Sequence, residues 1–319
     1  MRKRADLGAI LIAATLFILY VIFDSEGFFR WFTIDNIVHF SAILAFVAIG
    51  QTMLLISKEI DLSVGSVYGL GGIGFILLER ELGVSLAVVL VLLGAAGIGY
   101  LNALLVVRAR LPSMIVTLCA LFFYRGVIFL WSGGSIPSLA RDARDHWLVR
   151  ILGGEWLVFE NAVFILILTA IAFHLVLSRT PYGNRLYAVG YDEQSALSRG
   201  VETGRVKTRA FILCSLLAAF AGILTIADTP NTYVTMGFQF ELEAIAAAVV
   251  GGAALRGGRG TVLGAVLGAL IIVSARFELI SIGAPPSWFI TFVGVLLIAA
   301  VLFNRYVENR IRTFRPTAA

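Results

Sequence analysis

The chain has 319 residues, of which 59% are hydrophobic and only 14% charged. A soluble domain carries roughly 25% charged residues, so this composition excludes a soluble globular protein and points to a polytopic membrane protein. The net charge of +5 does not call for nucleic acid, because basic residues concentrated in cytoplasmic loops account for it.

Apolar runs near the length needed to cross a bilayer predict helices at 7–23, 36–57, 63–79, 85–107, 113–132, 159–178, 209–227, 241–255, 260–276 and 287–304. The expected fold is therefore all-α, a single transmembrane domain over 1–319 with about ten spans. The eighth run is short and interrupted by glycine, the pattern of a broken or re-entrant segment lining protein or water. Arg2, Lys3 and Arg4 before the first run imitate a secretory signal, but Asp24, Ser25 and Glu26 stand where a cleavage site would need small residues. The run is expected to stay as the first helix. With the amino terminus inside, most of the 25 basic residues fall on the inner side, while Arg125 sits within a span. That bias predicts both termini in the cytoplasm of a multi-pass inner-membrane protein.

Between the fifth and sixth runs, residues 132–159 make the longest outer segment. Trp147 and Trp156 suit the membrane interface, and a short surface helix is expected there. On the inner side lies 179–209, which carries Arg179, Arg185, Arg199, Arg205, Lys207 and Arg209 against Asp192, Glu193 and Glu202. Gly183, Gly190, Gly200 and Gly204 read as breaks between short helices, and the stretch reads as a structured cytoplasmic docking surface.

Three further patterns stand out. In Ile60-Asp61-Leu62-Ser63-Val64-Gly65-Ser66, Asp61 or Ser63 suits the cap of the third helix. Gly65 and the glycines after it leave a smooth packing surface, and a role in a cytoplasmic gate is the sharper alternative. Gly260, Gly264 and Gly268 recur every four residues and predict a face for close helix contact, while Glu243 suits a helix cap or a polar cavity. Gly257 to Gly260, flanked by Arg256 and Arg259, has the outline of a phosphate nest, but a lone glycine cluster is weak evidence and a sharp membrane turn explains it. Polar residues inside spans are costly, so His39, Gln51, Asn102 and Arg125 are candidates for a substrate pathway, with interhelical hydrogen bonding as the competing role.

Enzymatic chemistry finds no support. Cys119 and Cys214 lie in apolar runs, His39, His146 and His174 are dispersed, and no GxxxxGK[ST], HExxH or GxSxG occurs. No metal, cofactor or catalytic residue is expected, and any ATP site must lie on another subunit.

ISKEIDLSVGS at 56–66, LPSMIVTLCALFFYRG at 111–126, TPYGNRLYAVGYDEQSALSRGV at 180–201 and ELEAIAAAVVGGAALRGGRGTVLGAVLGAL at 241–270 together resemble the permease subunits of bacterial sugar ABC importers of the ribose, xylose and arabinose type. The resemblance runs through nearly the whole chain. It implies a permease that pairs with a second permease subunit, binds a cytoplasmic ABC ATPase and receives a sugar from a periplasmic binding protein, with alternating access as the mechanism. It places ATPase coupling on Gly183, Arg185, Ala188, Gly190, Glu193, Ala196, Ser198 and Gly200. The importer EAA pattern followed by glycine survives in degenerate form as Gln194-Ser195-Ala196 and Gly200. Where the family has Gly-Gly before Ile-Asp-Leu-Ser, this chain has Lys58-Glu59. The alternative is an ion-coupled secondary transporter, which calls for internal repeats and intramembrane acids; the sequence shows one interrupted helix and no convincing repeat.

Overall fold

The computed structural model describes residues 13–15, 17–18, 20, 29–135, 137–156, 159–285 and 287–313, with 303–313 given by their backbone alone. Nine of the ten apolar runs come out as helices: α1 Trp31–Ile56, α2 Val64–Leu82, α3 Val84–Ala103, α4 Ser113–Ser132, α7 Asn161–Arg179, α10 Thr203–Asp228, α11 Phe240–Val250, α12 Val262–Ser281 and α13 Ser287–Thr313. The first run, 7–23, lies largely outside the described residues. Between α4 and α7 stand the short helices α5 Arg141–Arg144 and α6 Trp147–Gly153, then the strands β1 Glu155–Trp156 and β2 Phe159–Glu160. These strands pair antiparallel, with Glu155 opposite Glu160. Two more helices, α8 Pro181–Tyr191 and α9 Glu193–Ser198, fill the predicted docking stretch.

Six helices among the described residues are long and apolar enough to cross a membrane: α1, α3 with the π-helical turn 104–108 that continues it, α4, α7, α10 and α12. Length alone does not suffice for α2, which closes on Glu79, Arg80 and Glu81. At 11 residues, α11 is only about 16 Å long, roughly half of a hydrocarbon core.

The bundle is built round α1 and α10. The apolar window of α1 is 89% buried and that of α10 67%, against 28% for α3, 33% for α4 and 17% for α7. The first two are therefore interior posts, and the last three present most of their surface to surrounding apolar medium. Contact with α10 is made through bare backbone: a Cβ on Gly71 would stand 2.6 Å from Ala219 Cα, one on Gly99 2.6 Å from Phe211 O, and one on Gly50 2.9 Å from Cys214 Cα. Small residues let helices approach this closely where lipid supplies no hydrophobic drive for association. Both cysteines are free, and Cys214 serves only as a small packing group.

Two sequence expectations are corrected here, on Gly260 and on Glu243, and one alternative is decided. Gly264 and Gly268 do lie against α11, where an added Cβ would meet the backbone of Gly251 and Ala247. Gly260, in contrast, precedes the helix, because Thr261 takes the cap position and accepts from Gly264 N; a Cβ there would meet the side chains of Thr52 and Ile56. Glu243 caps nothing, since its carboxylate is drawn to Arg276. The Gly257–Gly260 stretch is a turn that uses its own amides: Gly257 N donates to Ala254 O at 2.9 Å and Gly258 N to Ile56 O at 2.8 Å.

Candidate coupling surface and gate

Local chemistry explains why 180–198 forms two short helices. Thr180 Oγ1 accepts from Gly183 N at 3.4 Å and Pro181 holds the first helical position, a combination that starts α8. Asp192 is extended and stops α8, then accepts from Ser195 N at 2.8 Å to start α9. That hydrogen bond, before any charge, holds the Asp192 carboxyl below its usual range. Gly200, at φ +78°, ends α9. The expectation of glycine breaks holds only there: Gly183 and Gly190 lie inside α8 and Gly204 inside α10.

The pair of helices has two faces. Gly183, Leu186, Val189, Gly190 and Ala196 are buried against the bundle. Arg185, Ala188, Ser198, Arg199 and Gly200 are exposed, together with Tyr191 at 79% and Leu197 at 52%. The eight residues carried over from the family resemblance thus divide. Arg185, Ala188, Ser198 and Gly200 face outward; Gly183, Gly190 and Ala196 seat the helices; and Glu193 reaches sideways to Lys207.

The seat itself is tight. A Cβ on Gly190 would run into Ile56 O and stand 2.7 Å from Gly258 N, so only glycine admits the crossing of α8, the end of α1 and the turn before α12. Tyr187 Oη donates to Gly260 O at 2.7 Å. Lys58 holds a left-handed backbone, φ +67°, unusual for a residue with a Cβ, and its Nζ lies 3.4 Å from Tyr191 O. Next to it, Glu59 accepts from Lys207 Nζ at 2.8 Å, and the same ammonium reaches Glu193 at 2.8 Å. One cation on α10 therefore ties the 57–63 connection to α9. Sequence reading marked Lys58-Glu59 as a departure but did not find this triad; the only signal was a charged dipeptide where backbone freedom is expected.

From Glu59 the chain runs into a buried polar network. Asp61, fully buried, accepts from Ser63 N at 2.7 Å and from Ser63 Oγ at 2.6 Å. Neither residue caps the free amides of α2, and the two instead close the turn before it. Gln51 donates to Asp61 O. Asn102 donates to Ser63 Oγ at 3.0 Å and accepts from Tyr124 at 3.3 Å. Thr117 Oγ1 accepts from Leu62 N at 3.0 Å. Four helices, α1 to α4, are pinned to this turn, and Gln51 and Asn102 are among the pins.

The remaining pathway candidates lie elsewhere. Arg125 donates to Met236 O at 2.6 Å, in the irregular stretch before α11, close to Gly65, where a Cβ would meet Glu241 and Gly237 O. Nearby, Arg276 neutralises Glu243 and stacks 4.4 Å from the centroid of the Phe289 ring. His39 stands at the opposite end of α1 from Ile56, between Glu160 and Asp228. A cavity of about 300 Å³ between the residues around 13–20, α1 and α12 is apolar, lined by Phe17, Ile37 and Leu270 among others, and contains none of the four candidates.

Over residues 33–301 the chain matches the family described as branched-chain amino acid transport system / permease component. It is 32% identical to the autoinducer 2 import system permease protein LsrC of Yersinia enterocolitica over 97% of this chain and 88% of the relative. It is 34% identical to LsrC of Klebsiella pneumoniae over the same shares, 97% and 88%. To the inner membrane ABC transporter permease protein YjfF of Escherichia coli it is 34% identical, over 92% of this chain and 90% of the relative. No solved structure matches. These likenesses set aside the ion-coupled carrier and imply an ATPase and a binding protein as partners, with lipid around the helices. The chain belongs to this permease family, as a multi-pass inner-membrane subunit of an ABC importer of the sugar kind its motifs resemble, a transport component and not an enzyme.

Proposed function

We propose that this permease moves a neutral, polyhydroxylated solute of sugar size into the cell by alternating access, and that α8 and α9 receive the movement of the ATPase. The solute class spans pentoses, hexoses, related polyols and the autoinducer 2 named for the LsrC relatives. In this reading 179–209 is the cytoplasmic coupling loop, 132–159 is periplasmic, both termini are cytoplasmic, about ten segments enter the membrane, and a second permease subunit, like or related, completes the pathway.

The observation that carries the proposal is the two-faced seat of α8 and α9. Their outer face offers Tyr191 and Leu197 between basic residues, a surface suited to a protein partner. Their inner face reaches Ile56 and, through Lys207, Glu59, both shortly before the turn that pins α1 to α4, and Gly258, whose amide donates to Ile56 O. A displacement of α8 and α9 is passed through the seat of Gly190 on Ile56 and Gly258 to the connection before α2, where the Lys207 ammonium holds Glu59 in place. Two paired charges suit a neutral cargo: Glu243 is matched by Arg276 and Glu59 by Lys207.

The test is affinity purification of the tagged chain from its native membranes in mild detergent, with mass spectrometry of what stays bound. Near-stoichiometric recovery of an ABC ATPase and a second permease is expected, with ATP hydrolysis stimulated by a solute-loaded binding protein. Solute uptake by the chain alone, driven by an ion gradient, would refute the proposal.

A further inference from the structure

At the end of the bundle away from α8 and α9, three chain segments far apart in sequence converge on one ring. His39, 5% exposed, sits two turns into α1; Glu160 immediately precedes α7; Asp228 is the last residue of α10. His39 Nδ1 faces Glu160 Oε2, and Nε2 lies 3.5 Å from Asp228 Oδ2. One ligand-capable atom from each of the three lies within 4.8 Å of the other two. Asp35, one turn earlier on α1, adds its charge to the ring's surroundings.

We propose that His39, Glu160 and Asp228 bind a divalent transition-metal ion of the zinc class. One imidazole nitrogen with two carboxylates is a three-ligand set that leaves room for water, and it suits zinc or manganese better than calcium or magnesium, which favour oxygen ligands throughout. Charge argues the same way. Three carboxylates surround one imidazole, and even a protonated ring balances only one of them, whereas a divalent ion balances two. An imidazolium bridging the two acids is the rival account, yet 3.5 Å to Asp228 exceeds the 2.7–3.2 Å of an N–H···O bond.

The ion would staple the far ends of the three helices whose near ends carry the coupling surface. α7 leads directly into α8, α10 begins just after α9, and α1 ends at Ile56 beneath Gly190. Holding Glu160 to Asp228 through His39 fixes the spacing of α7 and α10 at this end.

The experiment purifies the complex through a tag without histidine, exposes it to Zn²⁺, removes free ion by gel filtration, and counts bound zinc by mass spectrometry. Thermal unfolding is followed with and without a chelator. Wild type is expected to retain one zinc per permease chain more than His39→Gln or Glu160→Gln, each of which should bind at least tenfold more weakly. His146→Gln and His174→Gln should bind as wild type does, and chelation should lower the unfolding midpoint of wild type alone. Retention of the ATPase by each variant reports that it has folded, and Asp228→Asn provides a third ligand change should one of the others fail. Equal zinc in wild type and all ligand variants overturns the site. So does a wild type without zinc whose stability instead follows pH through the imidazole range and loses that dependence in His39→Gln, the signature of an imidazolium bridge.

Discussion

Lys207→Met removes the one ammonium that Glu59 and Glu193 share, and the structure sets the size of the effect. The Lys207 and Glu59 side chains are 12% and 11% exposed, whereas Glu193 is 41% exposed. Removing one partner of a buried ion pair costs about 3–5 kcal/mol, because the other charge is left stranded. A pair open to water is worth only about 0.2–1 kcal/mol. Nearly all the cost of Lys207→Met therefore falls on Glu59, about 3 kcal/mol, and Glu193→Gln costs about 0.5 kcal/mol by the same argument. Three kilocalories correspond to about a hundredfold change in how often the 57–63 connection is seated. In proteoliposomes holding the complete importer, with solute uptake and ATP hydrolysis measured together, Lys207→Met should lower solute moved per ATP at least tenfold while the ATPase stays bound. Glu193→Gln should stay within about twofold of wild type. The double change Glu59→Gln with Lys207→Gln, which strands no buried charge and leaves only the exposed Glu193 without its partner, should recover most of the loss. The reasoning fails if Glu193→Gln harms coupling as much as Lys207→Met does, or if Lys207→Met imports at the wild-type ratio.

Other outcomes follow from the same geometry. Gly190→Ala should unseat α8 and lower the amount of ATPase that co-purifies, because its Cβ has nowhere to go beside Ile56 O, whereas Gly200→Ala meets open space and carries only the left-handed backbone cost of about 1 kcal/mol; pull-down ratios distinguish the two. Asn102→Ala should cost about 1–3 kcal/mol by leaving Ser63 Oγ and Tyr124 Oη short of a partner in the interior, read as a lower unfolding midpoint in detergent. Asp192 carries a depressed carboxyl pKa, so its cap contributes fully above the unfolded value of about 3.9 and is lost as pH falls through the lower folded value. Amide exchange at Ser195, corrected for intrinsic rate, should show constant protection from neutral pH down to about 4 and a decline below it, and Asp192→Asn should abolish that decline.

Apolar periodicity made most of the fold legible. The runs at 36–57, 113–132 and 209–227 each became one helix, and the short glycine-bearing run at 241–255 became the half-length α11. Glycine spacing likewise announced short helices in 179–209, but not the Thr180 and Asp192 caps that set their starts. Partnership was not legible. Lys207 meets Glu59, Arg276 meets Glu243 and His39 meets Glu160 across separations that no local pattern encodes, since a salt bridge between distant helices depends on how their faces are rotated. The glycines of α8 misled for a related reason. Gly190 is there to admit Ile56, a demand made by another helix, while the sequence alone suggests a break.

Lys58 gives this design a thermodynamic signature. Its φ of +67° keeps a residue with a Cβ in a conformation costing about 1–2 kcal/mol, which glycine would not incur. Lys58→Gly should therefore yield a sturdier molecule, and one that lacks the tether from Nζ to Tyr191 O. Among variants at this one position, resistance to unfolding and fidelity of coupling should rank in opposite orders. Thermostability screening of this permease would then discard, at position 58, the side chain through which the connection before α2 senses the end of α8.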